Sequence, residues 1–167
     1  MFSGKTQELI RRVRLATIAR RRVQVFKPAI DRRYSKTHIV SHDRTRIPST
    51  VVDKAGEILH HVDPLTEVVG IDEAHFFGPD LPRICETLAD SGRRVVVAGL
   101  EQDYRGVPFV PVARLLALAE YVTKNLAICV VCGNPANRSQ RISGGTRRID
   151  VGHSDKYEAR CRRCFRR

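Results

Sequence analysis

Gly4-Lys5-Thr6 sets an ammonium group and a hydroxyl side by side directly after a glycine. This is how a phosphate-binding loop of pattern G-x-x-x-x-G-K-[ST] ends: backbone amides ring the phosphates, the Lys reaches the terminal oxygens and the hydroxyl serves Mg²⁺. Ser3-Gly4-Lys5-Thr6 fills the last places, while the opening Gly and the strand that feeds it would fall before Met1. The expectation is a functional protein that extends upstream. A second stretch, Val68-Val69-Gly70-Ile71-Asp72-Glu73-Ala74-His75, ends a β-branched apolar run in two acids. Acids at the carboxyl end of a buried parallel strand lie where open α/β sheets bind ligands. There Asp72 suits Mg²⁺ held beside a triphosphate, and Glu73 suits taking a proton from an attacking hydroxyl or water.

The third group is four thiols. Cys129-Val130-Val131-Cys132 and Cys161-Arg162-Arg163-Cys164 are two C-x-x-C pairs with 28 residues between them. Together they offer a closed tetrahedral set for structural Zn²⁺. The gap exceeds the usual spacing of such sites, which calls for an inserted loop. That insert, Gly133 to Arg160, carries Ile149, Val151-Gly152 and Tyr157, backbone and one aromatic that can close over a small ligand. A plain solvated zinc-ribbon hairpin fits its composition equally well. Cys85 stands alone on an expected helix and reads as a core residue.

These groups need a scaffold to position them. Periodicity gives an amphipathic helix from Lys5 to about Arg20, its first amides facing phosphate. A strand follows at Val23–Phe26, then a polar stretch from Asp31 to Pro48 with one strand near His38–Val40. A helix is expected over Val51–His61, the acidic strand at Val68–Asp72 and a helix over Leu81–Ser91. A strand at Arg94–Gly99 and a helix at Val112–Ala119 complete the series. Strands alternating with helices give an α/β class, a doubly wound parallel sheet whose first strand is missing, with a small C-terminal zinc-binding domain. The expected division is 1–127 for nucleotide binding and 128–167 for zinc and substrate.

The chain has 167 residues and a net charge of +12. Its arginines spread over the first helix and the C-terminus rather than clustering, so polynucleotide binding is not the expectation. No apolar stretch approaches a membrane span. Met1 leads straight into the loop with no signal-peptide pattern, so the expectation is a cytoplasmic protein whose cysteines bind metal or stay free rather than form disulfides.

Met1-Phe2-Ser3-Gly4-Lys5-Thr6, Asp31-Arg32-Arg33-Tyr34-Ser35, Ile71-Asp72-Glu73-Ala74-His75-Phe76-Phe77, the split Cys pairs and Asp155-Lys156-Tyr157 occur in this order. Over essentially the whole chain they resemble the type II thymidine kinases. The resemblance implies transfer of the ATP γ-phosphate to the thymidine 5′-hydroxyl, with Mg²⁺ in the site, structural zinc behind a lasso loop, and a homotetramer. It assigns Ser3, Gly4, Lys5 and Thr6 to the triphosphate and Asp31 and Arg33 to the phosphate-donor site. Glu73 becomes the general base, with Asp72 and His75 beside it where ATP binds. Phe76, Leu100, Tyr104 and Phe109 would surround the base, Ile149, Val151 and Gly152 would supply lasso backbone, and Tyr157 the lasso aromatic. Cys129, Cys132, Cys161 and Cys164 would hold zinc. His75 stands where the family often has Gln, Glu101 where it usually has Asp, and Val110 where Gly is common. The lasso register is shared with animal relatives only to within one position.

Two other readings use the same letters. G-K-T followed by D-E-A-H suits a nucleic-acid-dependent ATPase, but no Ser-Ala-Thr motif and no second domain follow. An inert zinc-ribbon module with a degenerate loop leaves Glu73, Asp31 and Arg33 without a purpose.

Overall fold

The computed structural model describes residues 1–31, 38–40, 45–149 and 155–166. Helix α1 (Lys5–Ile18) leads into strand β1 (Val23–Pro28). A short ribbon of β2 (His38–Val40) and β3 (Arg46–Pro48) then precedes β4 (Thr50–Val52). Helix α2 (Glu57–His61), β5 (Val68–Ile71), the single turn η1 (Ala74–Phe76), α3 (Leu81–Asp90), β6 (Arg94–Val97) and α4 (Val110–Leu118) complete the larger part. Strands order as β4-β1-β5-β6, and each neighbouring pair is parallel.

A parallel sheet must cover both faces, so its central strands read as unbroken apolar runs. All four residues of β5 are buried accordingly. Alternate residues face opposite layers. Phe26, Val52, Val69 and Ile71 pack with Ile58, Leu81, Ile84 and Leu88 under the helices α2, α3 and α4. Val25 packs with Leu9, Ile10 and Val13 of α1 and with Ile39 of the β2–β3 ribbon. Cys85 is buried in the first layer, as expected, and burial pushes its thiol up to about 12. Gly70 lets α1 lie close: a Cβ there would meet Val25 at 3.2 Å and Val13 at 3.4 Å. The start of α1 is thereby drawn in toward the end of β5.

The stretch expected to hold one strand holds a second, β3, paired with β2, and one helix expectation fails. The helix foreseen over Val51–His61 is two elements: Thr50–Val52 extends the sheet beside β1, and only Glu57–His61 is helical. Phe26↔Thr50 and Pro28↔Val52 pairing settles the matter, because β-branched Val51-Val52 gains ladder hydrogen bonds that a short helix end would not supply.

The remaining chain forms two small antiparallel ribbons. One pairs β7 (Ala127–Ile128) with β8 (Pro135–Ala136), and the other β9 (Arg138–Arg141) with β10 (Tyr157–Arg160). The insert between the cysteine pairs is thus a hairpin at its base, with an irregular tip beginning after Arg141. Of the two readings its composition allowed, the hairpin describes the base. Among the described residues no helix is long and apolar enough to cross a membrane.

Candidate active site

The loop before α1 and the turn after β5 converge at the carboxyl edge of the sheet. Gly4 caps α1 with φ 75°, a left-handed conformation that costs glycine little. It turns the chain so that Lys5 and Thr6 open the helix beside β5. Lys5 Nζ lies 2.5 Å from Glu73 Oε1 and 3.8 Å from Asp72 Oδ1. The Thr6 hydroxyl donates to Asp72 Oδ2 at 3.0 Å. Cation, hydroxyl and two carboxylates, 66 and 68 residues apart in sequence, form one cluster.

Glu73 itself adopts a left-handed backbone, φ 51°, which a residue with a Cβ rarely takes. Such strain collects at functional sites, where surrounding structure enforces it. The enforcement is visible: Asp72 Oδ1 accepts the Glu73 amide at 2.9 Å, and the Ala74 amide donates to the Ala98 carbonyl at 2.9 Å. Burial pushes the Asp72 carboxyl above the ordinary range, against the pull of the Lys5 cation. Gly99 leaves room for this turn, since a Cβ there would come within 3.1 Å of the Ala74 Cβ and 3.4 Å of the His75 amide.

His75 is buried, and its Nδ1 accepts the Leu100 amide at 3.2 Å. That hydrogen bond leaves Nε2 to carry the proton, 3.4 Å from Glu73 Oε2. The ring sits between Phe76, at 4.1 Å, and Phe109, at 5.1 Å. Leu100, Phe76 and Phe109 are therefore grouped about His75, two positions after Glu73. Asp31 follows the β1 end in a turn, its amide bonded to the Pro28 carbonyl at 3.0 Å. Arg33, Val151 and Gly152 lie outside the described residues.

The hairpin end is built differently. Tyr104 and Tyr157 are brought together by Arg141, whose guanidinium carbon lies 3.7 Å from the Tyr104 ring centre. Its Nη2 donates to the Tyr157 hydroxyl at 2.6 Å. Ile149 is partly exposed on the irregular tip. The two ends are in contact, for the Met1 amine donates to Ser139 Oγ of β9 at 2.8 Å and Phe2 packs on the cysteine group. Spacing did not single out Arg141, Arg148, Asp103 or Lys27. Lys27 is a buried cation on the α1 side of β1, and its Nζ donates to the His38 carbonyl at 3.0 Å. A lysine directly after the apolar Val25-Phe26 of a strand was the available signal.

The four thiols meet the test for a metal. Their sulfurs all lie within 4.8 Å of one another, Cys132 and Cys161 at 3.6 Å. Zinc bonded tetrahedrally at about 2.3 Å requires sulfurs roughly 3.8 Å apart. Gly133, at φ 72°, makes the first knuckle, with its amide on the Cys129 carbonyl. Burial works to raise the Cys129 thiol, but backbone hydrogen bonds from Cys161, Val131 and Cys132 overcome it and hold the group at about 6. Hydrogen bonds to Cys132 and Cys161 push Cys164 up to about 12.

A family model described as thymidine kinase matches residues 1–165. The chain belongs to the thymidine kinase family. It is 58% identical over 165 residues to a thymidine kinase of Rhodothermus sp. (strain ITI 518), covering 99% of this chain and 77% of the relative. It is 55% identical over 166 residues to a thymidine kinase of Bdellovibrio bacteriovorus, covering 99% of this chain and 81% of the relative. Family membership agrees with the resemblance read from the motifs and with the parallel α/β sheet.

Proposed function

We propose that this chain transfers the γ-phosphate of ATP to the 5′-hydroxyl of thymidine, yielding thymidine monophosphate, the salvage route into DNA precursors. The observation that carries the reading is the Lys5–Glu73–Asp72–Thr6 cluster at the carboxyl edge of the sheet, in a chain of this family. Phosphoryl transfer depends chiefly on positioning and charge neutralisation. Lys5 would draw charge from the β and γ oxygens, helped by the α1 amides and by Ser3 and Gly4. Asp31 and Arg33 would steady the donor from the β1 side. Thr6 and Asp72 would hold Mg²⁺, which when bound neutralises charge on the phosphates.

Glu73 would take the proton of the 5′-hydroxyl, with His75 Nε2–H fixing its second oxygen. Phe76, Leu100, Tyr104 and Phe109 would wall the thymine ring, with Tyr157 and the backbone at Ile149, Val151 and Gly152 closing over it. Such apolar walls with a few polar groups suit a flat base. Zn²⁺ on Cys129, Cys132, Cys161 and Cys164 would pin both ends of the hairpin, and residues 128–167 would act as the substrate-binding unit. The resemblance to the type II enzymes leads us to expect a homotetramer.

The test is ATP turnover by the purified protein with and without thymidine. The expected result is ADP formation that requires thymidine and ignores single-stranded DNA, with Glu73→Gln lowering kcat at least about a hundredfold. Turnover that follows DNA instead, or survives Glu73→Gln, removes the reading.

A further inference from the structure

The irregular tip of the hairpin is held by side chains from another part of the chain. Asp103 is buried, with its side chain 2% exposed. Its Oδ1 accepts the amides of Arg105 and Val107, both at 2.9 Å, which builds the 103–107 turn. Its Oδ2 accepts Arg148 Nε at 2.9 Å, from the tip. Arg148 also donates from Nη2 to the Pro108 carbonyl at 2.9 Å, and its guanidinium lies 5.1 Å from the Phe109 ring centre.

We infer that Asp103 and Arg148 are positioning residues, a latch that fixes the 145–149 segment against the nucleoside wall. The inference rests on the thymidine-kinase reading and adds residues to it. An irregular segment has carbonyls that no ladder satisfies, and each needs a donor. Here three of them are taken: Gly145 and Arg147 by Arg141, and Thr146 by Tyr104 and Arg105. Those contacts hold the backbone of the tip from β9 and from the 103–107 turn. Arg148 adds a charge pair to a buried carboxylate, and such charge-assisted bonds are stronger than neutral ones. Its position also matters. Arg148 covers Phe109, Phe109 packs on His75, and His75 faces Glu73. The latch is thus two rings removed from Glu73, on the side where the nucleoside would lie.

Asp103→Asn isolates the pair, because Asn Oδ1 still accepts the two turn amides while the charge facing Arg148 is lost. The expected result is a thymidine KM raised roughly tenfold, with the ATP KM and the melting temperature little moved. Arg148→Lys keeps the cation and loses the fork, so it should fall between wild type and Asp103→Asn. The double variant Asp103→Asn/Arg148→Gln should add nothing to Asp103→Asn. A second readout needs no thymidine: trypsin should cut after Arg147 or Arg148 several times faster in Asp103→Asn than in wild type. Wild-type protein that fails to use thymidine refutes the kinase reading, and the trypsin rate then decides the latch alone. Unchanged cutting, or equal rises in both KM values, overturns the latch.

Discussion

The two ends of the proposed site, one for phosphate and one for nucleoside, are built in opposite ways. At the phosphate end, Lys5, Thr6, Asp72 and Glu73 hang from the start of a helix and the end of a central strand, and the two acids are buried. Their positions follow from sheet and helix geometry, with Gly4 supplying the turn and Gly70 and Gly99 the close approaches. At the nucleoside end, Arg141, Tyr104 and Arg148 hold an irregular tip mostly by hydrogen bonds to carbonyls. Charge to be neutralised in a transition state must be met by preorganised groups, which a rigid frame supplies. A nucleoside must enter and leave, and a segment held by a few clasps can open. The contrast yields predictions about which changes damage chemistry and which damage substrate hold.

The largest effect belongs to the rigid end. Lys5→Met should lower kcat with thymidine about 10²–10³-fold, the usual loss when one preorganised charge donor is removed. The fold should survive, since the Lys5 side chain is a fifth exposed and packs in neither core layer. Steady-state kinetics with a melting curve checks both parts. A kcat within tenfold of wild type would break the assignment of Lys5 to the triphosphate.

The second test asks whether the hairpin depends on metal. Cys161→Ser should release close to one zinc per chain, measured by metal analysis, and raise the thymidine KM more than the ATP KM. Affinity for zinc should climb with pH, because Cys164, at about 12, must give up a proton on binding. Cys129, at about 6, already stands as thiolate near neutrality and adds little to that slope. A chain that holds no zinc at any pH would detach the hairpin from the metal.

The two ends were also unequally legible. Gly4-Lys5-Thr6 and Asp72-Glu73 are contiguous, because a helix start and a strand end each need only a few adjacent residues to present a group. The cysteine pairs were readable for the same reason. The Asp103–Arg148 pair spans 45 residues. No local pattern marks it, since an arginine among many arginines carries no signal until the hairpin brings it back over the 103–107 turn. The misread helix at Val51–Val52 has a related cause. Whether β-branched residues join a sheet depends on a neighbouring strand, here β1, that propensity does not see.

The smallest effect concerns stability rather than rate, and it sharpens the contrast. Burial raises the Asp72 carboxyl above its ordinary value, so the folded chain holds that proton more tightly than the unfolded chain. Stability from this group is present at low pH and is lost as pH rises from the unfolded carboxylate range through the raised folded value. Asp72→Asn keeps an oxygen to accept the Glu73 amide and the Thr6 hydroxyl but has nothing to ionise. In magnesium-free buffer it should match wild type at acid pH and exceed it by about 1 kcal/mol at neutral pH, while losing turnover. Denaturant titration at pH 4 and pH 7 measures the difference. A variant equally stable or weaker at pH 7 would mean that the pull of Lys5 outweighs burial, and that the buried acids support the fold they occupy. A gain would show the reverse: the rigid end keeps a destabilising carboxylate in place because the reaction needs it there.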